Sequence, residues 1–431
     1  MQALKLTKKY EKYPEYKDSG VEWLGKIPSS WNAQKIVSIF EFSNQKVTEE
    51  THEPLSVTYD GIKKQIENAA KVAEGSLRKL VKIGDIAING RSDRKGAVGM
   101  SEYEGGVSLV YNVLRKRDKT IDSKYFHYLF RSKLFSEEFY RWGRGIVDDL
   151  WTTRESEMKK IYVSLPNPQE QTKIAKYLDE KTSYIDQLIC KKQKLIELLR
   201  EKRTSVINNA VTKGLNQKVE LVESSIIWIG KMPKGWKLDK IKRVAFMNKR
   251  TLSESTNPNF SFKYFDIGSV DEEEISNIES EITFGKAPSR ARRIVSVGDS
   301  IIATVRTYLK AIAYFDKLDT DTIASTGFAV LTPKNELIPK YLFYYLQSDR
   351  FINQVIIKSK GIGYPAITPF DLGSLEIIYP DKNIQQSIIM NLDENIEKFN
   401  SIIERAERSI KLLSEFKYSL VSNVVTGKIK V

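Results

Sequence analysis

Three pairs of segments carry the side chains best suited to binding a polyanion, and each pair has one segment in either half of the chain. Guanidinium groups donate paired hydrogen bonds to base edges, lysines neutralise phosphates, and other polar side chains fix register. In the first pair we align residues 91–95 with residues 306–310, so that the basic ends coincide and the middle differs. One scaffold that reads two nucleotide sequences would show this pattern. The candidate contacts here are Arg91, Arg94, Lys95, Arg306, Tyr308 and Lys310. Alternatively, Arg91 and Arg306 pair with neighbouring carboxylates.

The second pair places a cation beside a glycine, at Arg144-Gly145 and at Lys360-Gly361. Main chain at a glycine can approach a phosphate closely while the adjoining cation neutralises its charge. We therefore predict phosphate contacts by Arg144 and Lys360. In the alternative interpretation these glycines only cap the preceding helices.

The third pair consists of short basic runs. They contain Lys63 and Lys64 in the first half, and Arg290, Arg292 and Arg293 in the second. A clustered basic run favours contact with nucleic acid. A solvated surface patch is the alternative.

The overall charge also favours a polyanionic partner. The 431 residues include 69 Lys and Arg against 55 Asp and Glu, a formal net charge of +14. Neutralising phosphates with such a surplus releases counterions. No apolar run approaches the roughly 18 residues that span a bilayer, and residues 1–17 hold no signal-peptide core. We expect a cytoplasmic protein without a membrane partner.

Residues that catalysis would need are scarce. One cysteine, Cys190, and two histidines, His52 and His127, cannot form a disulfide framework or a Cys/His zinc site. The sequence has no P-loop, no Gly-rich dinucleotide turn, and no Asn-Pro-Pro-Tyr or Asp-Pro-Pro-Tyr loop of the amino-methyltransferases. The nearest match to a nuclease motif, Asp148-Asp149 followed by Glu157-Met158-Lys159, has neutral counterparts in the second half. We predict a binding protein with no catalytic residue, metal or directly bound cofactor.

The basic segments belong to a longer internal repeat. The sequence Trp-Leu-Gly-Lys-Ile-Pro at 23–28 recurs as Trp-Ile-Gly-Lys-Met-Pro at 228–233, and a Gly-Asp pair follows at 84–85 and at 298–299. Both halves end alike, in Asn-Ala-Val-Thr and Asn-Val-Val-Thr. Because the matches keep their order and nearly their spacing, the chain is a tandem duplication. A period of about 200 residues is too long for a solenoid, so each copy is a domain-sized unit.

The first part of each copy must position the basic segments, and its pattern predicts an α+β domain. Strand-like runs lie at 86–88 and 107–114 in the first copy, and at 301–305 and 329–331 in the second, among turn residues and short helical stretches. Four tryptophans occupy identical positions in the two copies, whereas the bases to be read would differ. We therefore assign to the core Trp23, Trp31, Trp228 and Trp236.

The last part of each copy predicts a long helix. Residues 169–209 contain neither proline nor glycine, which suits one helix of about 40 residues, or roughly 60 Å. Apolar residues recur on one heptad position in both copies, at Leu178, Ile185, Leu199 and Val206, and at Leu392, Phe399, Ala406, Leu413 and Leu420. A single apolar seam needs a partner, and we predict the equivalent helix of the other copy, packed antiparallel. Alternatively, each helix packs on its own domain.

Taken together, these motifs resemble the specificity subunit of type I restriction-modification systems. The resemblance rests on the segment 19–28, the Gly-Asp turn, the Pro-Asn-Pro-Gln-Glu-Gln run at 166–171 and the duplication, and it spans essentially the whole chain. It implies target recognition domains at 1–168 and 214–381, a central helix at 169–213 and a C-terminal helix at 382–431. One departure is that the second copy lacks the glutamate equivalent to Glu170.

The resemblance also implies a division of labour. Each domain would read one half of a bipartite, asymmetric target in double-stranded DNA. The helices would set the spacer and dock two methyltransferase (modification) subunits, which carry S-adenosylmethionine and methylate adenine N6. A separate restriction subunit, a motor and nuclease that uses ATP and Mg²⁺, would join for cleavage. The alternative is a non-enzymatic coiled-coil scaffold with two protein-binding domains.

Overall fold

The computed structural model describes residues 10–59, 61–65, 77–91, 95–145, 151–216, 218–224, 226, 229–271, 274–275, 281–318 and 320–431. The chain divides into two compact units. Unit 1 comprises Met1–Gln193 together with Glu407–Val431, and unit 2 comprises Lys194–Ala406. Each unit therefore contains the globular part of one copy, the start of the long helix that follows it, and the end of the long helix of the other copy.

Unit 1 is a mixed α/β domain with short strands. These are β1 (Tyr16–Asp18), β2 (Lys26–Pro28), β3 (Asn32–Lys35), β4 (Phe40–Phe42), β5 (Lys46–Val47), β6 (Leu55–Thr58), β7 (Gly61–Lys64), β8 (Arg78–Val81), β9 (Ile86–Asn89), β10 (Val98–Met100), β11 (Gly105–Val107), β12 (Tyr111–Lys116) and β13 (Tyr162–Leu165). The helices are α1 (Ile36–Ile39), α2 (Ser123–Arg131), α3 (Lys133–Arg141), α4 (Glu155–Met158) and the long α5 (Pro168–Lys213), which continues into unit 2.

Unit 2 repeats this plan. Its strands are β14 (Leu221–Glu223), β15 (Lys231–Pro233), β16 (Lys237–Lys240), β17 (Ala245–Met247), β18 (Ser261–Phe265), β19 (Val270–Asp271), β20 (Glu274–Ile275), β21 (Ile282–Thr283), β22 (Ala291–Ile294), β23 (Ser300–Ala303), β24 (Ile312–Tyr314), β25 (Thr322–Ser325), β26 (Phe328–Pro333) and β27 (Glu376–Tyr379). The helices are α6 (Ile241–Val244), α7 (Pro339–Leu346), α8 (Asp349–Lys358), α9 (Pro369–Gly373) and the long α10 (Lys382–Val425), which ends in unit 1.

The central sheet has the same strand order in both units. Across the described residues it runs β10-β9-β12-β4 in unit 1 and β24-β23-β26-β17 in unit 2, with antiparallel pairing throughout. The predicted fold, a mixed α/β domain and a long helix repeated in tandem, is confirmed. Two strand predictions were too long, because a turn that links Tyr111 N to Ser108 O separates β11 from β12, and β23 ends at Ala303.

Capping residues in the sequence explain where α5 begins and ends. At the start of α5, Asn167 caps the helix by accepting a hydrogen bond from Glu170 N, and Pro168 occupies the first turn. Gly214 follows the helix with a positive φ of 78°, a conformation that suits glycine at a helix C-terminus. With 46 residues, α5 is about 70 Å long.

Within each unit the two helix segments run antiparallel, as predicted. In unit 1, Lys417 of α10 binds Asp186 of α5 at 2.6 Å, while Val425 O at the end of α10 accepts a hydrogen bond from Ser164, which precedes α5. In unit 2, Val211 near the end of α5 shares the core with Leu392 near the start of α10. A helix therefore does not pack on its own domain alone, because its far end completes the core of the other unit.

Two of the four predicted core tryptophans are fully enclosed or nearly so. Trp31 is buried and Trp236 is 9% exposed. Trp23 is half-buried and donates its indole N–H to Tyr162 O over 3.0 Å, while Trp228 lies outside the described residues. No helix in the described part of the chain is long and apolar enough to cross a membrane.

Candidate nucleic-acid interface

In unit 1 the first two predicted segments lie side by side. The first segment, of which residues 90–91 and 95–96 are described, follows β9, and the second, of which residues 144–145 and 151–152 are described, follows α3. Arg91 and Arg144 both form β-bridges with Thr152, and Thr153 N donates to Gly90 O over 2.8 Å. Segments that the sequence separates by about fifty residues therefore form one composite surface, at the end of the central sheet where β9 stops.

Unit 2 builds the same composite surface. Val305 and Lys360 both form β-bridges with Ala366, so the loop 304–310 after β23 lies against the loop 360–366 after α8. Side chains add to this contact. The Thr307 and Ser359 hydroxyls are 2.9 Å apart, and the Arg306 guanidinium lies 5.0 Å from the centre of the Tyr364 ring.

The backbone pairing corrects our alignment of the two loops by one residue. Asn89 N donates to Ala97 O, and Ala303 N donates to Ala311 O, so the two loops have equal length. Because Arg91 and Val305 make the equivalent bridges, Arg306 corresponds to Ser92 and not to Arg91. The interpretation that the basic ends coincide is wrong. Strand pairing sets this register, and it outweighs a chance match of two arginines.

The corrected register aligns a lysine of positive φ in the unit 2 loop with a glycine of positive φ in the unit 1 loop. Arg306 and Lys310 both adopt a left-handed conformation with φ of 51°. Lys310 stands where unit 1 has Gly96, whose φ is 86°. A non-glycine residue costs about 1 kcal/mol or more in this region, and such strain clusters at functional sites.

The predicted contact residues of these loops point to solvent. Arg91, Lys95, Arg144, Arg306, Tyr308, Lys310 and Lys360 are all exposed. Arg144 lies 3.8 Å from Glu157, and Lys95 lies 5.7 Å from the centre of the Tyr140 ring. Within the described residues neither Arg91 nor Arg306 makes an ion pair, so their charge is available to a ligand. Arg94 lies outside the described residues, as do Asp148 and Asp149.

The third pair of segments divides into exposed and half-buried cations. Lys63 and Lys64 are exposed on β7, and Lys64 binds Glu53 at 2.7 Å. Arg290 is also exposed, and its carbonyl accepts from Thr326 N, next to Gly327, whose carbonyl accepts from Thr304 N at the start of the loop 304–310. Of these cations, Arg290 therefore lies beside the unit 2 surface.

Arg292 and Arg293 are engaged with their own domain. The Arg292 guanidinium lies 4.8 Å from the centre of the Phe284 ring. Arg293 donates to the Thr251 hydroxyl over 3.3 Å, and burial lowers the pKa of its guanidinium. Arg293 Nε is buried without a partner among the described residues. The arginine run on β22 is thus only partly a solvated patch.

In unit 1 a glycine is required at position 143 because the Trp151 side chain approaches it closely, and not only because it follows a helix. A Cβ on Gly143 would lie 2.2 Å from the Trp151 indole, whose N–H donates to Tyr140 O over 2.7 Å. In unit 2 the equivalent position is Ser359, the C-terminal cap of α8. Gly361 lies beyond that cap, with φ of 112°, at the turn of the loop 360–366.

Sequence reasoning missed part of the unit 2 surface. Ile362 and Tyr364 are exposed on the loop 360–366, and Phe370 is exposed at the start of α9. The signal was available, because Gly361 and Gly363 enclose a large apolar residue that no strand or helix pattern would bury.

The motifs that carried the resemblance support the scaffold. Gln171 in the first turn of α5 accepts from Asp122 N and donates to Pro166 O, and Gln385 of α10 makes the same pair of bonds to Ile338 N and Pro380 O. Both glutamines are almost fully buried. Each one ties a long helix to the residue that precedes a domain helix, α2 in unit 1 and α7 in unit 2.

A metal site is not formed by the described residues, which hold no cluster of three or more His, Cys, Asp or Glu side chains able to bind an ion. Glu157, part of the nuclease-like motif, binds Lys160 at 3.0 Å. The hydrogen bond from Lys160, together with the Arg144 charge, lowers the pKa of this carboxyl. These contacts give Glu157 a role in supporting the loop that begins at Arg144.

Two copies of one α/β domain, each exposing paired basic loops and each completed by two long helices, define a modular binding protein for nucleic acid. Residues 233–412 match the family model of the type I restriction modification DNA specificity domain. The chain is 23% identical, over 436 residues and 94% of either chain, to the MjaVIII specificity subunit of a type I restriction enzyme from Methanocaldococcus jannaschii.

Solved structures show the same fold. One, from a study of complex assembly and conformational transition of the type I R-M system, has a TM-score of 0.68 at 14% identity and covers 93% of this chain and 98% of its own. The HsdS subunit of Thermoanaerobacter tengcongensis has a TM-score of 0.52 at 13% identity, covering 94% and 98%. The resemblance seen in the sequence is confirmed, because residues 233–412 match the specificity-domain family and nearly the whole chain is similar to a type I restriction enzyme specificity subunit.

Proposed function

We propose that each unit reads one half of a bipartite, asymmetric target in double-stranded DNA through its two paired loops. This proposal is supported by the combination of equivalent backbone pairing in the two units and different side chains on the paired loops. Equivalent β-bridges hold the loops in both units, yet unit 1 presents Lys95 where unit 2 presents Leu309. Base edges of different sequence need different side chains on the same scaffold.

We further propose that Arg144 and Lys360 contact phosphates, because both lie at the first paired residue of the second loop and both are exposed. Arg91, Lys95, Arg306, Tyr308, Lys310 and Arg290 lie on or beside the paired loops and are the candidates for base or phosphate contacts. Lys63, Lys64 and Arg94 stay candidates from the sequence, as do Arg292 and Arg293, whose present contacts a DNA ligand would have to replace.

The long helices would set the spacer and dock two modification subunits. Each repeat exposes a leucine at the equivalent helix position, Leu198 on α5 and Leu412 on α10, at 49% and 58% exposure. The equivalence follows from Asp179 and Asp393, which occupy matching places at the start of the helices. Two identical apolar positions suit two copies of one partner.

Catalysis would belong to the partner subunits. The modification subunits would hold S-adenosylmethionine and methylate adenine N6, and a restriction subunit would use ATP and Mg²⁺. This chain would contribute recognition alone, in the cytoplasm. Incubating the purified chain with labelled S-adenosylmethionine and DNA tests this, and methyl transfer without a partner subunit would contradict it.

Inserting one heptad into both helices, after Glu197 and after Lys411, tests the spacer. Seven residues add about 10 Å of helix and return the apolar seam to nearly the same face, drifting about 20°. At about 3.4 Å per base pair, we expect unchanged half-sites and a spacer longer by about one to three base pairs, read by methylome sequencing. Unchanged spacing with full activity would show that the helices do not set the spacer. The scaffold alternative predicts no DNA sequence preference at all.

A further inference from the structure

The unit 2 surface carries a group of large exposed apolar side chains beside its basic loops. Ile357 at the end of α8, Tyr364 on the loop 360–366 and Phe370 on α9 are 70%, 69% and 79% exposed, and Ile362 is fully exposed. Large apolar side chains gathered on a surface mark a site of interaction. Ile362 and Tyr364 of this group lie on one of the paired loops, which makes DNA the first ligand to consider.

The backbone gives Ile362 a distinct place. Lys360 and Ala366 exchange two hydrogen bonds, of 2.8 and 2.9 Å, so the loop projects as a narrow two-stranded turn. Ile362 stands at its tip between Gly361 and Gly363. The space where Gly363 would carry a Cβ is open to 4 Å. A fully exposed apolar side chain thus projects from this slim ribbon, two residues before the exposed Tyr364.

Exposed cations lie at the start of this ribbon and on the loop 304–310 that pairs with it. Lys358, Lys360, Arg306 and Lys310 are exposed, and in the described part of the chain none of the four forms an ion pair. Arg306 lies instead against the ring of Tyr364. An apolar tip beside unneutralised positive charge complements a ligand that is anionic outside and has an apolar group inside.

Duplex DNA has such a group in its major groove. Phosphates line the groove, the groove is wide enough to admit a two-stranded ribbon, and the C5-methyl group of thymine is the apolar feature on its floor. Insertion between base steps would also bury an isoleucine, but it requires unstacking. Methyl contact needs no such distortion and fits the ribbon.

We propose that Ile362 reads thymine, by packing against its C5-methyl group in the half-site bound by unit 2. This inference rests on the proposed division of the target between the units. The four cations hold the ribbon in the groove, and Ile362 adds discrimination between thymine and bases without a methyl group.

The test uses the chain assembled with its modification subunits and duplex probes of the target found by methylome sequencing. Deoxyuridine replaces thymine in one half-site at a time, which removes the methyl group and leaves base pairing intact. We expect the native complex to bind the substituted unit 2 half-site about three- to tenfold more weakly, the effect of about one methyl group left unburied. Ile362→Ala should lose a similar factor on the thymine probe and nothing further on the deoxyuridine probe.

Val297→Ala is the matched control. Val297 is 59% exposed, but it precedes β23 and so lies at the end of that strand opposite the loop 304–310. This variant should discriminate thymine from deoxyuridine as the native complex does.

The outcomes separate this inference from the function on which it rests. If Ile362→Ala still discriminates thymine from deoxyuridine, or weakens both probes equally, methyl reading by Ile362 is wrong while half-site recognition stands. If Ile362→Ala instead releases a subunit in size-exclusion chromatography, the surface binds protein and the inference is overturned. If the native complex shows no sequence preference, the proposed function itself fails.

Discussion

In each unit a buried tyrosine hydroxyl reaches the end of the other repeat's long helix. Tyr125 donates to Val425 O over 3.0 Å in unit 1, and Tyr341 lies 3.4 Å from Val211 O in unit 2. Lys124 and Tyr128 bind Asp179 of α5, while Lys340 and Tyr344 bind Asp393 of α10 in the same way. These contacts between a domain and its helices are therefore equivalent in the two units.

Outside these shared contacts, the two units differ in the partners of the Gly-Asp turn. Asp85 of the first Gly-Asp turn binds the Arg115 guanidinium, whereas Asp299 of the second accepts from the Thr332 hydroxyl over 2.6 Å. Burial raises the pKa of Asp299. The loops diverge further, since unit 2 places Ile362 and Phe370 on the surface that should meet DNA. The comparison teaches that the repeat retains these contacts to the long helices and varies both the Gly-Asp turn and the loops that should meet DNA.

The largest effect should come from removing residues 407–431, which lie far along the chain from the domain they complete. Leu420, Val424 and Val425 are buried in the core of unit 1, and each buried aliphatic side chain contributes about 1.5 to 3 kcal/mol. Their combined loss approaches the whole stability of a domain, about 5 to 15 kcal/mol. Hydrogen exchange should show unit 1 unfolded and unit 2 protected. Continued protection of unit 1 would contradict the cross-completion of the two units.

Arg115→Ala should cost unit 1 about 3 kcal/mol, because it leaves the Asp85 carboxylate buried without its cation. The matched change in unit 2, Thr332→Val, removes one hydrogen bond and should cost about 1 kcal/mol. Urea denaturation of the two variants measures both values. Equal losses would mean that the guanidinium does not distinguish the two Gly-Asp turns.

Arg306→Ala should weaken DNA binding by the assembled complex by about 1 to 3 kcal/mol and relax preference in one half-site, if the side chain reads a base. Lys360→Ala should weaken binding to all DNA sequences about equally. It should also reduce by about one the slope of the logarithm of the binding constant against the logarithm of salt concentration, as expected of a phosphate contact. Methylome sequencing and salt titration distinguish the two. Altered preference in both half-sites after Arg306→Ala would refute the assignment of one half-site to each unit.

The smallest effect concerns His127, whose place in unit 2 is taken by Phe343. Burial, together with the charge of Arg131, lowers the pKa of His127 to about 4 from an ordinary value of 6.5. Between these values the unfolded chain binds more protons than the folded chain, so stability falls as the pH falls. At pH 5.5 unit 1 should lose about 1 kcal/mol relative to pH 7.5. His127→Gln should reduce this loss, as followed by urea denaturation at both pH values.

The sequence by itself determined the duplication, the α/β class of the domains and the long helices. These follow from local signals: repeated motifs, hydrophobic periodicity, and the absence of proline and glycine between 169 and 209. The fully buried Trp31 and Gln171 belong to repeated motifs as well, because a core position in one copy is a core position in the other.

Tertiary structure alone decided which loop residues are equivalent and which lie together. The alignment by arginines misplaced Arg306 by one residue, since register depends on the pairing of Val305 with Ala366, a partner distant in sequence. Sequence patterns also left Ile362 unnoticed. They did not distinguish Arg290, which is exposed, from Arg293, which is half-buried. Exposure and register are properties of contacts between distant segments, so a local pattern cannot fix them.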